Sequence, residues 1–561
     1  MKQLAYLLLL LALSAPLPGL AKDAPRCVTI AGTNDLHGAI TPQHLKQFDK
    51  TLRWGGVLAQ SGYVQRLRDV YGDRLLLLDG GDLFQGTMVS NLSRGEAVIT
   101  AYNEMGYTAS AIGNHEFDYG PLTSEDPDRL GVFKERLRQA TFPFLAANIR
   151  DRRTQKPVDW PNTRPSLLIE RGGVRVGIIG ISTPQTPKTT RPQNILELEF
   201  LEPLPIVREE AQRLRRQGAE LVILITHMGD KCRDLTTPDS LSSCEGSGEL
   251  FPLLQQLPRG LVDVAIGGHT HGFVSHWVHG TATIESGGHG RYLGWLEACV
   301  DAQGKFDREA TTLHRPRRLC IDTWSSGKCE KAASASALQA AKFLGKTVQP
   351  TERMQDLMRP YLDQVTKKKE ERLGVVLPTA MHRAARGHSP LGLMVAQAAR
   401  EELKADVGIQ NRGGVRTDLP KGALTYGMVF RVLPFGNHLA SLHLTGKQLQ
   451  QFIQQLTHRR KGALPYISGI DVQRSVKGLI LRHKNGKPLD LRKTYHVATS
   501  DFLAGGGEGT GFIWDTVPTE KMRTDSVKLR EAMIKLLQRT HPAPSKAPLS
   551  PDGNKVQGPL E

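Results

Sequence analysis

Five times between Val28 and Ile266, a short apolar run of the kind that forms a buried strand stops and metal-ligating residue types follow at once. Val28-Thr29-Ile30-Ala31 leads to Asn34-Asp35-Leu36-His37, and Leu75 to Leu78 leads to Asp79-Gly80-Gly81-Asp82. Ala109 to Ile112 leads to Gly113-Asn114-His115-Glu116-Phe117-Asp118. Leu221 to Ile225 leads to Thr226-His227, and Val262 to Ile266 leads to Gly267-Gly268-His269-Thr270-His271. Helical stretches intervene, as at 57–70 and 205–217. Strand–helix alternation of this kind implies an α/β architecture. In such sheets ligands bind beyond the carboxyl ends of the strands, so the five clusters have a physical reason to meet in space.

The parts they supply suit one chemistry. Two divalent ions held close together need a shared carboxylate and a mixture of oxygen and imidazole donors, and such pairs serve phosphoryl transfer by gripping both attacking and leaving oxygens. Asp35-x-His37, Asp82, Asn114, His227, and His269 with His271 provide that mixture. A lone Asp-x-His or His-x-His is common; five clusters in order, each after a strand, are a specific pattern.

The rest of the chain bounds the reading. A length of 561 residues implies two folded domains of unequal size. Lys2, the apolar run Leu4 to Ala12 and the small residues around Gly19-Leu20-Ala21 read as a leader over 1–21, too short to span a bilayer. No later run of about 18 apolar residues follows, so an exported protein without a transmembrane segment, periplasmic or extracellular, is expected. Six cysteines suit an oxidising compartment. Cys232–Cys244 and Cys320–Cys329 are expected loop disulfides, with Cys27 and Cys299 either a third pair or buried thiols. The net charge of +17 is dispersed, its densest run, Lys367 to Lys369, being followed at once by Glu370 and Glu371. That pattern argues against a nucleic-acid partner and for a surface that steers small anionic substrates.

Residues 26–330 are read as the metal-site domain, 331–370 as a linker with a connecting helix, 371–540 as a second domain and 541–561 as a disordered tail. Leu449, Phe452, Ile453 and Leu456 are spaced for one buried helix face in the second domain.

The ordered set Asp35-x-His37, Gly81-Asp82, Gly113-Asn114-His115-Glu116, Thr226-His227 and Gly268-His269-Thr270-His271 resembles the calcineurin-like metallophosphoesterases. The segments 411–416 (NRGGVR), 433–437 (LPFGN) and 501–509 (DFLAGGGEG) resemble the nucleotide-site segments of 5'-nucleotidases, and the likeness runs over roughly 26–535. The nearest group is the exported bacterial 5'-nucleotidase/UDP-sugar hydrolases. The resemblance implies a four-layer α/β-β/α metallophosphoesterase domain followed by an α+β nucleotide-specificity domain, with domain rotation during turnover. It implies two divalent ions (Zn, Mn or Co), one on Asp35, His37, Asp82 and His271, the other on Asp82, Asn114, His227 and His269. Water activated by the metals would attack phosphorus in line, with His115 stabilising the developing charge and Asp118 orienting His115. Phe435 and Phe502 would sandwich the base; Arg416, with Asn411 and Gly414, would reach the phosphate or substrate. Arg383 or Arg386 would add another guanidinium, Arg386 being the expected site residue.

Two departures from the family pattern stand out. Glu508 replaces the usual Asp expected to bind the ribose hydroxyls, and His271 stands where the nearest bacterial enzymes carry an amide. His279, His289, His314, His438 and His496 are read as surface or structural. The competing readings are a 2',3'-cyclic-nucleotide phosphodiesterase/3'-nucleotidase and a non-catalytic nucleotide-binding surface protein.

Overall fold

The apolar runs that precede the polar clusters pair into two sheets packed face to face. In the first, Arg26–Thr33 lies between Tyr292–Val300 and Leu75–Asp79, and the order continues through Ala109–Ala111 and Phe144–Leu145. In the second, Val174–Ile181, Leu221–Thr226, Val264–Ile266 and Thr281–Ser286 follow one another in parallel. This computed structural model describes residues 25–543, apart from 124, 333, 384–388, 461 and 477. The expected leader over 1–21, Arg386 and the tail beyond 543 lie outside the described residues.

The strands are apolar on both faces because each face has its own partner. Leu76 and Leu78 point at Val176, Ile178, Ile223 and Ile225 across the inter-sheet core, while Leu75 and Leu77 face the helices outside. On the second sheet Ile179, Ile181, Val222 and Leu224 face the helix Pro203–Arg216 and its neighbours. Burying each such side chain contributes roughly 1.5–3 kcal/mol. Gly180 marks a close approach of the layers, since a Cβ there would lie 2.2 Å from the Leu145 Cβ. The result is the helix–sheet–sheet–helix stack expected.

The second domain is built on a five-stranded sheet, in the order Tyr466–Ser468, Val407–Gln410, Thr494–Ser500, His438–Thr445, Met522–Lys528. The helix Gly446–Arg459 covers one face with Leu449, Phe452, Ile453 and Leu456, and Thr445 with Gln448 forms its capping box.

The stretch 331–370 carries more than a connecting helix. Leu338–Ala340 pairs with Asp322–Trp324 of the first domain, and only from Glu352–Glu370 does the chain become helical. That helix starts at the Thr351 cap, whose hydroxyl accepts from Met354 N–H, and buries Met354, Met358 and Val365 in an apolar cluster reaching both domains. Beyond Thr540, Pro542 still bridges to Val375, so the ordered second domain extends past the expected tail boundary at 541. All six cysteines are paired, including Cys27–Cys299, which face each other on neighbouring antiparallel strands. No described helix is long and apolar enough to cross a membrane.

Candidate dimetal active site

The five clusters converge at the carboxyl ends of the strands that precede them. Three overlapping groups of ligand atoms form there; one brings His37, Asp82 and His115 together, and two others flank it. In one of these two, Asp35, His37 and His271 meet, with the Nε2 atoms of His37 and His271 3.0 Å apart and His271 Nε2 3.4 Å from Asp35 Oδ1. In the other, Asp82, His227 and His269 meet. His227 Nε2 lies 3.1 Å from Asp82 Oδ2, 3.1 Å from Asn114 Oδ1 and 3.2 Å from His269 Nδ1. Asp82 Oδ2 also lies 3.9 Å from His37 Nε2, so one carboxylate stands between the two groups.

The donor set fits divalent cations on its own chemistry. His227 Nδ1–H donates to the Gly80 carbonyl at 2.9 Å, and Asn114 Nδ2 donates to the Thr189 carbonyl at 3.1 Å. Both side chains are thereby turned so that Nε2 and Oδ1, their acceptor atoms, face Asp82 and His269. Burial would lower the His227 imidazole, but the Asp82 carboxylate outweighs it and raises it to about 10. The negative potential that draws a proton to that point draws a divalent cation equally. Burial holds His37 down to about 3 and His269 to about 4, leaving both neutral lone-pair donors. Burial would raise Asp82, yet the imidazoles of His227 and His115 hold it well below the usual carboxylate range.

The backbone is strained to present these groups. Asp35, His37, Asp82, His269 and His271 all adopt positive φ, between 50° and 72°. Each such non-glycine residue costs about 1–3 kcal/mol and persists only where its surroundings over-determine it. The surroundings do so. Asp35 accepts from Asn34 Nδ2 and from the His269 N–H, while Asn34 itself is held by Gly287 O and Ser286 N–H. Glu116 accepts from four backbone N–H groups, those of Asp82, Leu83, Phe84 and Gly113, stapling two ligand loops together.

His115 sits at the rim, half-buried. Its backbone N–H donates to Asp82 Oδ1 at 2.8 Å and its Nδ1 lies 2.6 Å from Asp118 Oδ2. Burial would lower the imidazole, but Asp118 and Asp82 outweigh it and raise it to about 9. A protonated Nε2 is thus available to an anion bound beside Asp82.

In the second domain Phe435 and Phe502 are 44% and 48% exposed, unusual for phenylalanine and suited to stacking on a flat ligand. Phe435 lies on a loop and Phe502 in the short helix Asp501–Ala504, and Asp501 joins the two: its Oδ2 accepts from His438 N–H and its Oδ1 from Phe502 N–H. The Phe502 ring covers Gly507, where a Cβ would come within 2.6 Å of it. The Arg416 guanidinium carbon lies 5.9 Å from the centre of the Phe435 ring. Glu508, itself at positive φ, accepts at Oε1 from Asn411 Nδ2 (2.7 Å) and Arg460 Nη2 (2.5 Å), while its buried Oε2 has no partner among the described residues. Gly414 packs against Gln410 and Asn411, where a Cβ would lie 2.0 Å from Gln410 Nε2.

Three features were not legible in the spacing. Thr190 Oγ1 donates to Asp118 Oδ1 at 2.9 Å from 72 residues away. His289, expected at the surface or in a structural role, packs beside the metal-site rings, its centroid 5.1 Å from that of His37 and 5.2 Å from that of His271. His438 is buried between the domains, against Arg191.

Residues 28–273 match the model of the calcineurin-like phosphoesterases, and residues 367–515 match that of the 5'-nucleotidase C-terminal domain. Among curated proteins, protein UshA of Yersinia enterocolitica is 29% identical over 520 residues, spanning 89% of this chain and 88% of its own length. The 5'-nucleotidase of Vibrio cholerae is 26% identical over 535 residues, spanning 90% and 89%. Among solved structures, a 5'-nucleotidase precursor from Thermus thermophilus shares the fold with a TM-score of 0.61 at 23% identity, covering 93% of this chain and 98% of that one. NAD nucleotidase from Haemophilus influenzae shares it at 0.54 and 19%, covering 92% and 96%.

Proposed function

The chain belongs to the 5'-nucleotidase family of calcineurin-like phosphoesterases, and from that premise we propose that it is an exported hydrolase releasing phosphate from nucleoside 5'-monophosphates. The observation that carries this reading is one carboxylate, Asp82, shared by two imidazole-containing ligand groups with the His115–Asp118 pair at their edge. Asp35, His37, Asp82 and His271 would hold one divalent ion, and Asp82, Asn114, His227 and His269 the other, with Zn, Mn or Co suited to the mixed nitrogen and oxygen donors. Bound there, such ions supply Lewis-acid charge against the phosphoryl oxygens and a water nucleophile of lowered pKa.

The chain's own residues do the rest. His115, kept protonated by Asp118, faces the phosphoryl group and offers Nε2–H to the charge that develops on it. Asp118 holds the ring through Nδ1 and is itself held by Thr190. Phe435 and Phe502 stack on the base, which tolerates different bases because every base has a π-face. Arg416 and Asn411 contact the substrate beside them. Glu508, whose Oε2 has no hydrogen-bond partner among the described residues, would accept from a ribose hydroxyl. Three disulfides suit an oxidising compartment, periplasmic or extracellular.

The test is phosphate release from 5'-AMP, 3'-AMP, 2',3'-cyclic AMP and UDP-glucose, each with Zn, Mn and Co. Release from 5'-AMP is expected. Release from 3'-AMP or the cyclic diester without 5'-AMP would replace the substrate assignment, and no release from any of them by metal-loaded protein would leave a nucleotide-binding protein.

A further inference from the structure

The segment Thr189 to Asn194 lies against the whole of the Asn114–Asp118 turn. The Thr189 carbonyl accepts from Asn114 Nδ2 (3.1 Å), Thr190 Oγ1 donates to Asp118 Oδ1 (2.9 Å), and Asn194 Nδ2 donates to the Phe117 carbonyl (2.7 Å). Arg191 therefore springs from backbone pinned on both sides to the phosphoryl site, and its side chain crosses to the other domain. Its Nη2 donates to His438 Nδ1 at 2.5 Å and to the Gly436 carbonyl at 3.3 Å, and its Nε lies 3.7 Å from Asp501 Oδ2.

Those three partners flank the aromatic pair. Gly436 follows Phe435, and Asp501 precedes Phe502 and ties the two segments together. The Phe435 loop rests on the first domain at Gly436, where a Cβ would stand 3.8 Å from Gln85 Nε2 and 4.0 Å from Asn91 Nδ2. His438 is buried, and burial with the Arg191 charge keeps its imidazole neutral; Nδ1 also stands 3.0 Å from the Gly436 carbonyl, so it accepts from the guanidinium in the tautomer that carries the proton on Nε2. The guanidinium thus donates to a carbonyl and an imidazole through Nη2 while its charge lies within ion-pair range of the Asp501 carboxylate, a fixed fork that the flexible ammonium of lysine does not reproduce.

We infer that Arg191 is a positioning residue that sets the distance between the base-binding segments and the phosphoryl site, so that one nucleotide spans both. The inference rests on the nucleotidase reading. A phosphate and a base on one molecule gain from simultaneous engagement only when the two half-sites stand at the right separation. A displacement of about 1 Å can cost about 10²-fold in rate. Separate fragments carry no such requirement.

That difference defines the test. In metal-loaded full-length protein, Arg191→Ala is expected to lower kcat/KM for 5'-AMP by about 10–100-fold. Inhibition by adenosine, which reads the base-binding segments, and by inorganic phosphate, which reads the metal side, is expected to stay within about threefold. Arg191→Lys, which keeps the charge without the fork, is expected to fall between. An Arg191→Ala protein with unchanged kcat/KM overturns the role. So does one whose adenosine inhibition weakens in step with kcat/KM, because Arg191 would then only hold the segments in shape. So does one that loses bound metal or phosphate inhibition, because it would then support the phosphoryl site alone. Wild-type protein that leaves 5'-AMP intact overturns the nucleotidase reading itself.

Discussion

Glu116 offers the sharpest stability test, because its carboxylate gathers four backbone N–H groups from the loop carrying Asp82 and the loop carrying Asn114. Its Oε2 takes the N–H of Gly113 at 2.6 Å and of Asp82 at 3.0 Å; its Oε1 takes the N–H of Leu83 at 2.7 Å and of Phe84 at 3.3 Å. Burial and the Asp82 charge push the carboxyl up to about 8, and the N–H donors that fill both oxygens are satisfied in full only by the carboxylate, so the comparison is made above pH 8. Glu116→Gln preserves the shape and replaces one acceptor oxygen by an NH2 group. Whichever way the amide turns, two backbone N–H groups face a donor. An unsatisfied buried donor costs about 1–3 kcal/mol, so the variant is expected to lose about 2–6 kcal/mol. That is a large part of the roughly 5–15 kcal/mol by which domains are stable. Urea unfolding of the first domain, followed by tryptophan fluorescence with and without added metal, reads the loss as a shift of the midpoint. Because Asp82 and Asn114 sit on the loops released, metal content after dialysis is expected to fall with it. A variant destabilised by less than about 1 kcal/mol and still holding its metal would refute the reasoning.

Asp82→Asn removes the carboxylate common to both ligand groups, so both ions are expected to weaken together, by more than the roughly 10–100-fold that loss of an outer-shell partner costs, as read by elemental analysis after dialysis. Phe502→Ala removes one stacking face worth roughly 1–3 kcal/mol, so KM for 5'-AMP is expected to rise about 5–150-fold with inhibition by inorganic phosphate unchanged. Lys528 is held down to about 8 from its ordinary 10.5 by burial and by the charges of Arg530 and Arg191. Its folded pKa lies below its unfolded one, so the penalty is full below about pH 8 and fades as pH rises to 10.5. Lys528→Met is therefore expected to be more stable than wild type at pH 7, by up to about 3 kcal/mol, and the gap should close by pH 10.5 in matched urea titrations.

The ligand types were legible because chemistry names them. Asp35, His37, Asp82, Asn114, His227, His269 and His271 each follow an apolar strand, and strand ends in such sheets face one crevice. The helix through Leu449, Phe452, Ile453 and Leu456 was legible for a similarly local reason, its 3.6-residue period. What the chain does not spell out is anything set by distant partners. The left-handed backbone at five of those ligands is imposed by neighbours such as Asn34, Glu116 and Gly287, and nothing in Asp or His announces it. Leu338–Ala340 lacks a strand composition and becomes one only because Asp322–Trp324 lies beside it. His289 and Arg191 carry no motif, since their roles come from packing across more than 200 residues of chain. Glu508 was visible as an extra methylene, but its partner Arg460 was not.

In the proposed reading, metal binding and phosphoryl chemistry meet at Asn114-His115, one residue holding an ion and the next facing the substrate. The measurement that tests it most directly is phosphate release from 5'-AMP alongside metal content, in wild type and in His115→Ala. Release that grows with occupancy in the wild type, and disappears in His115→Ala at unchanged metal content, is the predicted result. Full turnover by His115→Ala, or its loss of metal together with activity, would contradict the division of roles.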